Sequence, residues 1–476
     1  MLSILKALRG RILTRDPSDA LFAAGVEAWK KYEETHESQY LAEAVRNHQA
    51  ALDLRLPDHP RRPESLLHTA MALWAQCQGV VTKESSSTVI GYYDEALQRL
   101  LPNNFRNLRL QGTVYNNLGM VYLTLFRLGK EDQEAFPDTG ANIAKAIENY
   151  RSALLLKPAK NDPGRPISLF NLGIALVQKD RKDDLMAAII YLRRAVELCT
   201  TKSASRPLLL LSLNNLAQPY ESHHRYSEDI NDVVGKVDAL RRVLDFTDEG
   251  KGRLVPLVNL TNALWRLCEI EPNRSNDLDE AVLRGREALK LSDGSDKIIH
   301  ATALITLANV LSTRYVQTTL KIVTDLDQAI QYYREAIDAY HEDSPDPLLC
   351  SRLASAIHIR CQDFEEVEGT TLEDAISYYQ EALHISPQDD PLYLRVQNNL
   401  RTIYRTQFDK SGPEPEGDLV NGIQAYEDAV EDETGKVSIS TEYIFRRRRS
   451  VAASLCSTES SDESCPLRPA SIIESD

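Results

Sequence analysis

The sequence lacks several features that would point to particular classes of protein. It has no run of about 20 apolar residues, which a membrane-spanning helix needs, so an integral membrane protein is excluded. Its seven cysteines are scattered and form no Cys-x-x-Cys pair, and no secretory signal peptide is evident. Basic residues are the minority, and a net charge of −15 argues against general nucleic-acid binding. Together these absences favour a cytoplasmic protein.

Signatures of common catalytic and metal sites are missing as well. The chain contains no Gly-x-x-x-x-Gly-Lys, Gly-x-Ser-x-Gly or His-Glu-x-x-His motif. Cys350, His358 and Cys361 can share a helical face, but a zinc site normally needs four ligands. His223 and His224 fit a helix end, where the dipole favours imidazoles. We therefore expect a protein that is not an enzyme and uses no cofactor and no metal.

What the sequence does contain is an internal repeat. It is clearest where two alanines stand seven positions apart with a tyrosine between them, as in residues 142–158 (NIAKAIENYRSALLLKP), 325–337 (DLDQAIQYYREAI) and 371–387 (TLEDAISYYQEALHISP). Following the second alanine along the chain gives nine positions, which indicate nine units: Ala51, Ala96, Ala153, Ala195, Val243, Ala288, Ala336, Ala382 and Ala429.

Each repeat contains two predicted helices. Spacings of three, four and seven put the small and aromatic residues on one helical face, where small side chains let a neighbouring helix approach closely. Asp277, Asp325 and Asp418 stand where these second helices begin and are predicted N-caps. A first helix precedes each, with an apolar column at Ala70, Leu118, Leu172, Leu216, Leu260, Leu307, Ala356 and Leu400. Such a helix pair buries its apolar face only by stacking on its neighbours, which predicts a solenoid.

These columns resemble the tetratricopeptide repeat (TPR) family over about residues 20–435. The resemblance implies an all-α fold, a right-handed α-solenoid of about nine helix–turn–helix TPR-like units with long loops, since the units exceed the family's usual length of about 34 residues. The long loops and Asp-Leu helix starts look most like the TPR regions of fungal and bacterial proteins that carry a caspase-like (CHAT) peptidase domain. The run Leu-Asn-Asn-Leu-Ala at residues 213–217 is similar to kinesin light chain repeats.

The two ends of the chain differ from the array. We expect N-terminal capping helices in residues 1–35, the TPR-like solenoid in 36–435, and a Ser-rich, disordered tail in 436–476. The amphipathic start also suits a mitochondrial presequence, and the arginines at 446–449 suit a nuclear-import signal or a kinase site. The cytoplasm is the main expectation for location, with nucleus and mitochondrion as alternatives.

A polar stripe on the first helices is the candidate binding surface. Small polar residues precede the apolar column, and the TPR resemblance implies that they line a concave groove. Asparagine amides both donate and accept, so they can hold the backbone of a peptide; the alternative is that they only bond across adjacent helices. The candidate groove residues are Asn117, Asn171, Asn215, Asn259, Asn262, Asn309, Asn399 and Arg266.

The expected partner is a protein or peptide, with no nucleic acid and no integral membrane association. The dicarboxylate clamp of some TPR proteins needs Lys on the first helices, and none stands at the corresponding positions. Arg266, Arg360, Arg401 and Arg405 favour an acidic peptide, or are ordinary surface arginines. We predict an interaction scaffold or adaptor. The alternatives are a regulatory array of a CHAT-type peptidase system, whose peptidase domain is lost or acts in trans, and a structural array that assembles with itself.

Overall fold

The computed structural model describes most of the predicted array. The described residues are 16–77, 80–100, 105–157, 162–199, 206–319, 321–339, 346–365, 369–387 and 389–411. Within them the chain is all-α and forms no strands. No helix in these ranges is both long enough and apolar enough to cross a membrane. The predicted tail and the first fifteen residues lie outside the described residues.

The helices follow one another in consecutive packed pairs, which confirms the prediction of a TPR-like helical solenoid. We number them α1 (Pro17–Thr35), α2 (Ser38–Leu54), α3 (Arg62–Cys77), α4 (Lys83–Arg99), α5 (Phe105–Glu131), α6 (Thr139–Leu155), α7 (Arg165–Val177), α8 (Lys182–Cys199), α9 (Arg206–Asn214), α10 (Ala217–Ser227), α11 (Ile230–Phe246), α12 (Leu254–Ile270), α13 (Ser275–Leu291), α14 (Lys297–Gln317), α15 (Val323–Ala339), α16 (Pro347–Asp363), α17 (Leu372–Ile385) and α18 (Pro391–Ser411). A short 3-10 helix, Lys251–Arg253, precedes α12.

The described helices fall into two compact halves, an N-terminal half that ends at Pro219 and a C-terminal half that begins at Tyr220. The sequence pattern predicts one regular first helix at this place, whereas the structure has two short ones, α9 and α10. Pro219 has no N–H to donate to the carbonyl of Asn215, which explains why a continuous helix is not maintained here.

Glycines on the first helices allow the close approach of the second helices. A Cβ atom at Gly119 would lie 2.7 Å from the ring of Tyr150, and one at Gly173 would lie 2.7 Å from Leu192. Gly25 on α1 stands in the same relation, 2.6 Å from the ring of His48 on α2. The segment predicted as a cap therefore supplies the first helix of a repeat, and the predicted boundary between residues 35 and 36 falls inside a helix pair.

Two glycines on second helices also meet neighbouring side chains closely. On α11, a Cβ at Gly235 would lie 2.5 Å from the ring of Tyr220 on α10. On α13, Gly285 stands where other units have an aromatic residue, and a Cβ there would lie 2.9 Å from Leu307 and 3.2 Å from Thr261. Glycine therefore permits close packing on some second helices as well.

The prediction that the aspartates of the Asp-Leu starts are N-caps is wrong for the two that the structure describes. Asp277 and Asp325 lie in the first turn, after the helix has begun, and each binds an arginine. Arg241 reaches Asp277 at 2.8 Å, and Arg314 reaches Asp325 at 2.7 Å. Asp418 lies outside the described residues. Among the described residues, the side chains that cap helix N-termini include Asp16, Thr82, Asp229, Asp296, Asp346, Thr371 and Asp390.

Candidate binding face on the first helices

Two of the candidate asparagines lie inside the N-terminal half. Asn117 on α5 is fully buried beside the hydroxyl of Tyr93. Asn171 on α7 is buried too, and its Nδ2 donates to Oδ1 of Asn116 at 3.2 Å. That oxygen also accepts from the hydroxyl of Ser168 at 3.3 Å. Neither side chain lies on an open surface of the chain, contrary to the expectation of an exposed polar stripe.

Two asparagines of the C-terminal half bind tyrosine hydroxyls. Asn309 on α14 is buried, and its Oδ1 accepts from the hydroxyl of Tyr333 at 2.8 Å and from Nη1 of Arg352 at 2.6 Å. Nδ2 of Asn399 on α18 donates to the hydroxyl of Tyr379 at 3.1 Å. Burial raises the pKa of Tyr379 to about 12, so the hydroxyl stays protonated. These bonds are interhelical, as in the alternative interpretation of the asparagine column.

Asn215 has a local role at the break between α9 and α10. It is half-buried, and its Nδ2 donates to the backbone oxygen of Leu211 at 2.8 Å. The same oxygen accepts from the backbone N–H of Asn215 at 3.1 Å. The side chain of Asn215 therefore adds a second hydrogen bond to a carbonyl that the backbone already satisfies, and it is engaged within its own helix end.

The open part of the predicted stripe lies on α12, in the C-terminal half. Asn259 is exposed, and Asn262 and Arg266, three and seven positions later, are half-buried. Arg266 pairs with Glu269 on the same helix at 2.9 Å. These spacings place the three side chains along one helical face.

A shallow apolar depression adjoins this face between α12 and α14. Val255, Val258 and Asn259 line it from α12, and Ile299 and Thr302 line it from α14. An exposed amide beside these apolar walls can bind a peptide backbone while an apolar side chain of the peptide packs against the walls.

Two arginines on this side of the molecule were not among the predicted residues. Arg352 on α16 lies with its guanidinium carbon 4.9 Å from the ring centre of Trp265, besides its bond to Asn309. Arg395 on α18 is exposed. They lie 43 residues apart on successive first helices, and this separation is close to one repeat length. A search of the sequence for arginines at the repeat spacing could have found them.

Three of the arginines that the sequence singled out, Arg266, Arg360 and Arg401, have partners within the chain. Arg360 reaches Asp327 at 2.9 Å, and Arg401 donates to Oδ1 of Asn398 at 2.8 Å. Arg405 belongs to α18, but its side chain is not among those that the structure describes. The local positive charge expected from these residues is therefore partly neutralised by pairing.

Three of the cysteines and histidines that the sequence singled out, Cys350, His358 and Cys361, are buried in the helical core, as is His223. Burial raises the pKa of Cys350 to about 12, and the thiol of Cys361 donates to the carbonyl of Thr370 at 3.2 Å. Burial lowers the pKa of His358. Nδ1 of the buried His223 lies 2.7 Å from Asp232. In the described ranges no three His, Cys, Asp or Glu side chains are grouped so that they could hold a metal ion.

Comparison with known proteins gives no family assignment from sequence. No family model matches the chain, and no curated protein matches it. Solved structures with a similar fold include a tetratricopeptide repeat protein from Parabacteroides merdae (14% identity, 60% of this chain and 99% of that one, TM-score 0.24) and the TPR domain of P58(IPK) (14%, 82% and 99%, TM-score 0.23). A human IFIT1 dimer with m7Gppp-AAAA is similar as well (14%, 85% and 94%, TM-score 0.26).

These sequence identities and TM-scores are too low for any functional property of those proteins to be carried over to this chain. The TPR-like fold rests on the packed helix pairs of the chain itself. The nearer likeness to CHAT-associated arrays and to kinesin light chain stays a prediction from the sequence.

Proposed function

We propose that the protein is a non-enzymatic interaction scaffold of the cytoplasm that binds a peptide segment on the first helices of its C-terminal half. The observation that carries this proposal is the exposed Asn259 beside the apolar depression between α12 and α14. Asn262 and Arg266 extend the same face. We assign the buried asparagines to the stability of the array, and only Asn259 and Asn262 to ligand binding.

The mechanism follows from the chemistry of this surface. A solvent-exposed amide supplies one donor and one acceptor at the spacing of a peptide group, so it holds backbone without reading sequence. The apolar walls of the depression add a preference for an apolar side chain that packs against them, since each buried methylene contributes about 0.8 kcal/mol. Rigid neighbouring helices hold both features in place, which lowers the entropic cost of binding.

The test begins with selection of random 12-residue peptides on the full-length chain, followed by anisotropy titration of the selected peptides. We expect Asn259→Ala with Asn262→Ala to weaken binding about tenfold, and Thr302→Phe, which fills the depression, to weaken it at least as much. Asn149→Ala is the control, because Asn149 is half-buried on the second helix α6 and its side chain donates to the backbone oxygen of Lys145. The proposal would be contradicted if the selected peptides bind the double variant Asn259→Ala with Asn262→Ala, and also Thr302→Phe, as tightly as they bind the wild type.

Other assays separate this proposal from the alternative functions. Mass that rises with concentration in sedimentation, with no peptide retained, would favour an array that assembles with itself. Copurification with a separate peptidase, whose activity changes when the chain is added, would favour the CHAT-type regulatory function.

A further inference from the structure

The depression between α12 and α14 opens into a groove that follows these two first helices. Val258 and Thr302 line the depression, and Trp265 and Asn309 lie seven positions further along the same helices. A separation of seven residues returns a side chain to the same helical face. The helices stay side by side over this length, because Nε1 of Trp265 donates to the hydroxyl of Thr313 at 2.9 Å. Trp265 and Asn309 therefore lie in line with the depression.

Arg352 of α16 lies at the far end of this groove. Its guanidinium carbon is 4.9 Å from the ring centre of Trp265, and its Nη1 donates to Oδ1 of Asn309 at 2.6 Å. The same oxygen accepts from the hydroxyl of Tyr333 at 2.8 Å, which fixes the amide. One contact with α12 and one with α14 thus hold the guanidinium in place before any ligand arrives.

The guanidinium of Arg352 keeps donors for a ligand. It carries five N–H donors, and the bond to Asn309 uses one of them. Glu269 on α12 is paired with Arg266 of its own helix at 2.9 Å. The side chain of Arg352 is half-buried, so it is packed against Trp265 and still reaches solvent. Its remaining donors form a rigid fork that matches a carboxylate.

The distance from the depression to the guanidinium sets a spacing in the ligand. Seven positions separate Val258 from Trp265 on α12, and the same number separate Thr302 from Asn309 on α14. A helix rises by about 1.5 Å per residue, so seven positions span about 10 Å. An extended peptide advances by about 3.3 Å per residue and covers this distance in about three residues. A peptide whose apolar side chain packs in the depression therefore brings the third residue from it to Arg352.

We propose that the groove between α12 and α14 binds a peptide in which an apolar residue and an Asp or Glu residue stand three positions apart. Arg352 determines this specificity, because its guanidinium takes the carboxylate through two parallel N–H···O bonds, which are shorter and stronger than neutral hydrogen bonds. The inference rests on the proposed function and adds the sequence pattern of the ligand. The amides of Asn259 and Asn262 hold the backbone and do not read side chains, so this selectivity needs a separate residue.

A peptide fits this groove better than a nucleic acid. Trp265 is only 4% exposed, and Arg352 covers its ring, so the indole offers no free face on which a base could stack. The chain carries a net charge of −15, which repels a long polyanion. A peptide with a single carboxylate at the end of the groove meets one positive charge without that repulsion.

The experiment selects random 12-residue peptides on the full-length wild type and on Arg352→Gln in parallel. The peptides are aligned on the apolar residue whose replacement by Ala weakens binding most. We expect Asp and Glu to be enriched at the third position on one side of that residue in the wild-type set, and not in the set from the variant. Arg334→Gln is the matched control and should give the wild-type pattern, because Arg334 is half-buried on the second helix α15 and donates to the carbonyl of Gly369.

Anisotropy titration then measures the contact itself. Replacement of the acidic residue of a selected peptide by Gln should weaken its binding to the wild type about tenfold and leave its binding to Arg352→Gln unchanged. If Arg352 only supports Trp265 and Asn309, the Gln exchange in the peptide will have the same effect on both proteins. Reversal of the charges gives a rescue: Arg352→Glu should bind the peptide with Lys at that position more tightly than the peptide with Glu.

An acidic position that is absent from the wild-type set, or equally enriched on Arg352→Gln, would overturn this specificity. Tighter, Arg352-dependent binding of a six-nucleotide oligoadenylate would overturn its assignment to a peptide. The proposed function fails separately: peptides that respond to Asn259→Ala with Asn262→Ala but show no preferred acidic position leave that function intact and remove the role of Arg352. Peptides with the predicted spacing that ignore the asparagine variant support Arg352 and remove the asparagines from the binding surface.

Discussion

Nδ2 of Asn399 donates to the hydroxyl of Tyr379 across 3.1 Å, and this bond joins a first helix to the second helix of the preceding pair. Asn309 and Tyr333 form the corresponding bond within one pair, at 2.8 Å. In these two places, an asparagine on a first helix gives a buried phenol of a second helix the polar partner that it needs.

We predict that Asn399 and Tyr379 are energetically coupled. Asn399→Ala and Tyr379→Phe should each lower the free energy of unfolding by about 1 kcal/mol, and the double variant by less than the sum, because both remove the same bond. Urea unfolding of the four proteins measures the coupling. Tyr378→Phe, at the adjacent half-buried position, should show no coupling with Asn399→Ala. Strict additivity of the first pair would show that the bond contributes nothing.

Two glycines that lie within helices should respond to alanine in opposite directions. Gly119→Ala places a Cβ 2.7 Å from the ring of Tyr150 and should destabilise the protein by about 1–3 kcal/mol, because the second helix must move. Gly91→Ala meets nothing within 4 Å and should stabilise α4 by up to about 1 kcal/mol. Thermal unfolding followed by circular dichroism compares them, and a loss of stability in both would refute the close-approach explanation.

The N-terminal half should lose stability in mild acid. Burial, together with the positive charge of Arg55, lowers the pKa of His48 to about 3 and that of His68 to about 4. The unfolded chain binds these protons near pH 6.5 and the folded chain does not, so stability is full above pH 6.5 and falls as the pH drops towards 4.

The variant His48→Phe keeps a ring against Gly25 and removes one of these titrating groups. Its urea midpoint should therefore fall less than that of the wild type between pH 7 and pH 5. An identical decrease in the two proteins would exclude His48 as a source of the acid sensitivity.

The buried ammonium group of Lys157 should make the free energy of unfolding depend on pH in the alkaline range. Burial lowers its pKa from 10.5 to about 8, and its Nζ donates to the hydroxyl of Ser168 at 3.1 Å without an adjacent carboxylate contact among the described residues. The unfolded chain holds the proton between pH 8 and pH 10.5, so stability rises with pH across that range. The penalty below pH 8 is about 3 kcal/mol.

Lys157→Met should accordingly raise the urea midpoint at pH 7 more than at pH 10. The comparison between the two proteins cancels the other groups that titrate in this range. A variant that is less stable than the wild type at pH 7 would show that the bond to Ser168 outweighs the burial of the charge.

Features that recur in every repeat could be predicted from the sequence, whereas contacts between particular pairs of residues could not. The Ala column is buried as expected, from Ala51 to Ala382, because one helical face recurs in every unit. The role of Asp277 depends on Arg241, 36 residues away, and capping rules consider only local positions. The same reason applies to Asn117 and Asn259, which share a column and differ in burial because their neighbours differ.

The close contact between Tyr220 and Gly235 limits how this part of the array can be re-engineered. A Cβ at position 235 would lie 2.5 Å from the ring of Tyr220, so any larger residue there would push α11 away from α10. An engineered extension of the array therefore has to copy α10 and α11 together, because a second helix that carries a side chain at the position of Gly235 would not close against Tyr220.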